Sequence, residues 1–207
     1  MSAAVGRTVH PIEAESYRIL RTQLDTTTLP PYTKAVIERV IHASADFDYA
    51  TDLVIDEAAL ASAAAALEAG APIVADVEMV AAGITGRDAI CAIRDPAAPR
   101  RAAENGITRS AAALRIAAEQ AGPGAVYVIG CAPTALFELI AIAEQARPAL
   151  VIGLPVGFVG AAESKAALRE SGLPAVSNVS GKGGSAVAAA ALNALIYADL
   201  VKEGTAS

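Results

Sequence analysis

At 207 residues the chain suits one domain, and folding at this size buries roughly 70% of the unfolded surface, so no disulfide or metal staple is required. Only 4% of residues are aromatic and the net charge is −6, with Lys and Arg scattered, which excludes the basic stripe and stacking platform of a nucleic-acid binder. A polyanionic small molecule stays open, because a few focused cations in one cleft can hold it.

The N-terminus lacks an apolar signal core, and no run of about 18 residues is apolar without Gly, Pro or charge, so the expectation is a cytoplasmic chain with no membrane segment. His10-Pro11 opens a first helix, about Ile12 to Leu24, with Ile12, Tyr17, Leu20 and Leu24 near one face. Pro30-Pro31 breaks the chain, and a second helix runs from about Tyr32 to Ile41 or beyond, placing His42 at its C-terminal end. Asp52 to Ile55 reads as an extended segment, and Asp56 as the N-cap of an alanine helix that Gly70 closes. Apolar runs of strand length then follow at Ile73–Ala75, Ala89–Ile93, Ala125–Ile129, Leu150–Ile152 and Ala175–Val179. Helical segments lie between or after them, about Val77–Ala82, Ser110–Gln120, Thr134–Glu144, Ala161–Glu170 and Ser185–Val201. This alternation predicts an α/β fold: three α/β/α layers, about five parallel strands, and an N-terminal helical part, all in a single domain spanning 1–207.

Three strand-to-helix junctions share one composition: Gly130-Cys131-Ala132-Pro133-Thr134, the loop from Gly153 through Gly157 to Gly160, and Ser180-Gly181-Lys182-Gly183-Gly184-Ser185. In a parallel sheet all three open on the carboxyl edge, where helix N-termini aim amides at one cleft and favour carboxylates or phosphates. The third loop has the wrong order for a phosphate-binding P-loop, and no G-x-G-x-x-G follows the first strand, so a dinucleotide is not expected. No His, Cys or carboxylate set has metal-ligand spacing, and Cys91 and Cys131 belong to no redox pair.

His42 precedes a loop with two acids, Asp46 and Asp48; a helix C-terminus and a nearby carboxylate both favour the imidazolium and make proton donation near neutral pH feasible. A histidine satisfied in a helix-end hydrogen bond is the competing reading. Thr108 is an N-cap candidate, and Arg109 in the first turn after it opposes the helix dipole, as a solvated side chain or one recruited to a ligand carboxylate. Lys165, Lys182 and Arg94 are further candidate cations near the loops.

Taken together, the motifs resemble the precorrin-8X methylmutases, or precorrin isomerases, and their cobalt-precorrin-8 counterparts. The likeness rests on I-E-A-E-S-Y-R-I at 12–19, R-V-I-H at 39–42, G-A-P-I-V-A-D at 70–76 and I-R-D-P at 93–96. It continues through G-I-T-R-S-A-A-A at 106–113, A-P-T-A-L-F at 132–137, P-V-G-F-V-G-A-A-E-S-K at 155–165 and K-G-G-S-A-V-A-A-A-A-L-N-A-L at 182–195. The resemblance implies a flavodoxin-like sheet, a homodimer with shared active sites, and an isomerase of cobalamin biosynthesis. The implied reaction moves a methyl group from C11 to C12 of a corrinoid, giving hydrogenobyrinate or cobyrinate, with no separate cofactor; any cobalt arrives inside the substrate. It makes His42 the proton donor to ring C and Ser16 a substrate contact, beside the candidate contacts Arg94, Thr108, Arg109, Thr134, Gly157, Lys165 and Lys182. Cys131 departs from the family's usual asparagine in G-N-A-P-T. Ala45-Asp46-Phe47-Asp48, Gly106-Ile107-Thr108 and Leu173-Pro174-Ala175-Val176 look more like the cobalt-precorrin-8 type. A non-catalytic corrinoid carrier and, less well supported, a flavin- or nucleotide-binding domain are the competing functions.

Overall fold

The computed structural model describes residues 10–197; the leader before His10 and positions 198–201 of the expected last helix lie outside them. Two helices begin the described chain, α1 (Pro11–Gln23) and α2 (Pro31–Ser44), each with proline in its first turn, where the missing N–H is harmless. His10, directly before α1, caps it by accepting the Ile12 N–H on its imidazole. A single turn, α3 (Tyr49–Asp52), leads into β1 (Leu53–Ile55), and Asp56 caps α4 (Glu57–Glu68) as expected. Then come β2 (Ile73–Ala75), α5 (Glu78–Gly83), α6 (Ala97–Asn105), α7 (Arg109–Ala121) and β3 (Val126–Ile129). The expected helix from Thr134 to Glu144 is two pieces, α8 (Pro133–Ala141) and α9 (Ala143–Ala146), broken at Ile142. The chain ends through β4 (Leu150–Gly153), α10 (Ala161–Glu170), β5 (Ala175–Asn178) and α11 (Ser185–Ile196).

The five strands form one sheet in the order β1-β5-β4-β3-β2. Four of them are parallel, but β1 runs antiparallel to β5, pairing Leu53 with Asn178, so the fully parallel expectation is corrected at that edge. The Ala89–Ile93 run is also not a strand. Only Ile90 bridges to Val74, because a turn closed by Asp95 N–H on the Ala92 carbonyl takes the chain away at once. Counting that bridge, the parallel segments lie in the chain order 2-1-3-4-5, a doubly wound arrangement whose reversal point falls between β2 and β3.

Alternation along the central strands builds two cores. Ile73, Val126, Val128, Leu150 and Ile152 face a layer made by α2, α4, α5 and α11, while Val74, Tyr127, Ile129 and Val151 face α6, α7, α8 and α10. The three-layer expectation therefore holds. The Tyr127 hydroxyl is buried with no hydrogen-bond partner among the described residues. Tyr127→Phe is expected to raise Tm by about 2–4 °C, since removing an unsatisfied buried hydroxyl relieves ~1 kcal/mol. A fall in Tm on thermal unfolding would show that the hydroxyl is satisfied.

Candidate functional site

The antiparallel β1 decides where His42 lies. Its first residue pairs with the last of β5, so Asp52 and the turn after α2 are brought to the carboxyl edge of the parallel strands. α2 starts without a side-chain cap of its own; Glu57 of α4 supplies one across the fold, accepting from Tyr32 N–H at 3.0 Å and from Thr33 N–H and hydroxyl at 2.7 Å. Val36, Ile37, Val40 and Ile41 bury one flank of α2 in the core, which turns Arg39 and His42 away from it. The helix ends at Ala45, a non-glycine residue in the left-handed region with φ 54°.

Polar contacts lay α1 over that outward face. Ser16 Oγ lies 2.8 Å from His42 Nδ1, and the Tyr17 ring stacks on the imidazole with centroids 5.0 Å apart and planes inclined by 11°. Arg39 donates to Glu13 at 2.6 Å and, at 3.4 Å, to the Tyr17 hydroxyl; Arg21 makes a two-pronged ion pair with Glu38. Burial pushes the Tyr17 hydroxyl above its ordinary value, against the pull of Arg39. A serine hydroxyl donating to Nδ1 leaves the neutral ring's proton on Nε2; in the imidazolium, Nδ1–H donates to the serine and Nε2 is again protonated. Either way the ring can offer an N–H. Around it lies a pocket of about 270 Å³, lined by Arg39, His42, Ala43, Gly83, Asn193 and three alanines of α11. Its walls are small side chains, and Gly83 must stay glycine because a Cβ there would lie 2.8 Å from the Ala189 methyl. Asn193 ties the end of α5 to α11, donating to Gly83 O at 2.8 Å and accepting from Thr85 N–H at 3.0 Å.

At the same sheet edge the three glycine loops come together, but much of their amide supply is already taken. Asp76, at the end of β2, accepts the N–H groups of Gly130 (3.1 Å), Cys131 (2.8 Å) and Ala132 (2.8 Å). Burial pushes its carboxyl up, while those amides pull it back. Asp52 does the same for the third loop, accepting Val179 N–H, Ser180 N–H and the Ser180 hydroxyl; burial opposes the charge, yet these bonds hold its carboxyl below the usual range. The expectation of amides aimed at a ligand is therefore narrowed: the chain's own carboxylates take those of Gly130, Cys131 and Ala132 in the first loop and that of Ser180 at the start of the third. Helices α8, α10 and α11 begin at this edge without a side-chain cap, which keeps their dipoles favourable to anions.

The candidate contacts divide. Thr108 caps α7 by accepting Ala111 N–H, and its hydroxyl meets that of Thr134 at 2.8 Å, so two helix starts are stitched together beside Arg109. Arg109 is exposed and has no ion-pair or hydrogen-bond partner among the described residues. Gly157, at φ 155°, donates to Gly181 O, joining the second and third loops; the adjoining Phe158 and Val159 are fully exposed, an apolar tip that its glycine neighbours concealed in the sequence. Cys131 is exposed at the first loop. Arg94 pairs with Glu78 at 2.5 Å on the surface.

Two of the candidate lysines are held by partners within the chain. Lys165 is fully buried, donating to Pro155 O (3.2 Å), Asn178 Oδ1 (2.8 Å) and Lys182 O (2.7 Å), so its three N–H groups hold loops together and none is left for substrate. The Lys182 ammonium is committed to Asp46 at 2.8 Å and Asp48 at 2.5 Å. Those two acids thus face a lysine. Sequence reasoning missed Asp52 and Asp76 because their partners lie 54 or more residues away, and Asn178 because its link to Asp52 spans 126; Asp76, placed directly after an apolar strand, carried the one local signal.

A family model for precorrin-8X methylmutase matches residues 11–198. The chain is 44% identical over 194 residues to a precorrin-8X methylmutase of a Sinorhizobium species, covering 89% of this chain and 92% of that one. It is also 44% identical over 163 residues to a cobalt-precorrin-8 methylmutase of Methanocaldococcus jannaschii, covering 78% and 77%. A crystal structure of precorrin-8X methyl mutase from Thermus thermophilus superposes with a TM-score of 0.82 at 38% identity, covering 91% of this chain and 96% of that one.

Proposed function

The chain belongs to the precorrin-8X methylmutase family, an isomerase family of corrinoid biosynthesis, and on that premise we propose that it moves a methyl group from C11 to C12 of its substrate with His42 as proton donor. The observation that carries this reading is the Ser16–His42 pair under the Tyr17 ring, opening on a pocket walled by alanine and glycine. His42 lends a proton to the ring C nitrogen and so selects the reactive tautomer; the methyl then migrates within the macrocycle. An isomerisation leaves the proton count unchanged, so the lent proton returns from the product. No nucleophile or separate cofactor is called for, and cobalt, where present, enters with the substrate.

At about 270 Å³ the pocket is smaller than the roughly 300–1,000 Å³ of sites that enclose a ligand, so this chain receives one edge of a corrinoid. That supports a homodimer in which a second copy completes each site. The uncapped helix starts and Arg109 offer partners for the substrate's carboxylates, beside Thr108, Thr134 and the Gly157 loop. Segments 45–48, 106–108 and 173–176 favour the cobalt-bearing substrate. The absence of any helix among the described residues long and apolar enough to cross a membrane fits a cytoplasmic pathway enzyme.

The test is to mix excess precorrin-8X, or its cobalt form, with a small amount of protein and record the absorption spectrum. Conversion of the excess is the expected result; a change proportional to protein would indicate a carrier. Ser16→Ala should lower kcat about tenfold with KM unchanged, the kinetic equivalent of one lost hydrogen bond of ~1.4 kcal/mol. Steady-state kinetics check this, and a rise in KM alone would make Ser16 a substrate contact instead.

A further inference from the structure

A continuous polar chain joins the buried centre of the glycine edge to the turn that carries His42. It starts at Lys165, whose ammonium holds Asn178 Oδ1 and the Lys182 carbonyl. Asn178 Nδ2 donates to the same carbonyl at 3.0 Å and to Asp52 at 2.7 Å, while Lys182 N–H donates to Ser180 Oγ at 3.1 Å. Both ends of the Lys182 backbone are thus fixed to a buried cluster. Gly183 presses that backbone onto the second loop: a Cβ there would lie 2.2 Å from Leu154 O.

From this anchor the Lys182 side chain reaches Asp46 and Asp48, the turn directly after α2. That turn needs holding. Ala45 at φ 54° sits where a residue with a Cβ is disfavoured, and two like-charged acids stand two positions apart. Ser44 Oγ donates to Val40 O and accepts Asp46 N–H, and Asp46 accepts Asp48 N–H, so a pull on Asp46 is transmitted to the last turn of α2. His42 lies in that turn, one residue ahead of Ala43 and two ahead of Ser44.

We propose that Lys182 is a positioning residue: by gripping Asp46 and Asp48 it locks the end of α2 to the third glycine loop and sets His42 at a fixed distance from the edge that receives substrate. The inference rests on the reading of His42 as proton donor. The ion pairs are partly exposed and contribute little to stability, so the latch acts on geometry and not on folding. A displacement of about 1 Å at a reacting centre is enough to lower a rate by about 10²-fold.

Kinetics and spectroscopy test it together. Lys182→Gln, and separately Asp46→Asn with Asp48→Asn, should each lower kcat by about 10- to 100-fold with little change in KM or Tm. Reversing the pair, Lys182→Asp with Asp46→Lys, should restore most of the loss. In a His10→Asn background, which keeps an N-cap side chain and leaves one histidine, the His42 imidazole NMR signals should shift with Lys182→Gln and return with the reversed pair. Unmoved signals, or a rise in KM without loss of kcat for Lys182→Gln, would overturn the positioning role and make Lys182 a direct contact. Moved signals with full turnover would leave the mechanical coupling standing and remove His42 as the proton donor.

Discussion

His42→Asn is expected to lower kcat by about 10²–10⁴-fold while corrinoid binding persists, the range typical of losing one positioned general acid. Asparagine keeps a side chain near the imidazole's length and can still bond Ser16, so the pocket and the α1–α2 contact survive. What it cannot do is release a proton near neutral pH. Apart from Asn193, the rest of the pocket wall is alanine and glycine, and the other ionisable group on it, Arg39, is already paired with Glu13 and stays protonated. No second acid on the wall can therefore substitute. Turnover assays with a spectral binding titration check both halves, and full activity in the variant would remove His42 from the chemistry.

The second large effect falls on the scaffold. Lys165→Met should lower Tm by about 5–15 °C, because Pro155 O and Asn178 Oδ1 lose their donor in a buried site at a cost of about 1–3 kcal/mol each. Lys182 O keeps its bond from Asn178, so the third loop loosens without being freed. The pH dependence has a definite sign. Burial pulls the Lys165 ammonium down to about 8 from an ordinary 10.5, against the pull of Asp52. Between those values the unfolded chain holds the proton more firmly than the folded one, so stability linked to this group rises with pH through the window. Below pH 8 the buried cation carries its full desolvation cost. Denaturant unfolding at pH 7 and pH 9.5 should therefore show the native protein gaining on Lys165→Met at the higher pH; an unchanged gap would mean the folded ammonium stays charged.

How far the sequence carries depends on the range over which each feature is encoded. Apolar runs and caps are local, and β2, β3, β4, β5, Asp56 and Thr108 were all legible from them. α6 was missed because A-A-P-R-R-A-A-E-N buries Ala98 alone and offers only alanine and proline as apolar residues. Ile90 looked like part of a strand because the run is apolar, yet the turn at Ala92–Asp95 is what ends its pairing. The gathering of three glycine loops on one edge followed from parallel topology. Which amides were free did not, since Asp76 meets its loop across 54 to 56 residues and Asp52 meets its own across about 127. Lys165 was misread for the same reason: a lysine beside a glycine loop reads as exposed until the loops close over it. His42 stood out by its place at a helix end before two acids and Ser16 only through a family motif, and their 2.8 Å contact joins residues 26 apart in the chain.

Repeated transfer of a methyl group within a corrinoid is the activity that His42, Ser16 and the pocket are proposed to serve. The most direct measurement uses substrate whose C11 methyl is labelled with ¹³C, in large excess over protein, followed by NMR. The labelled methyl should move to C12 in all of the substrate with the native protein, and only very slowly with His42→Asn. A label that stays at C11, or that moves in proportion to protein and then stops, would contradict the account.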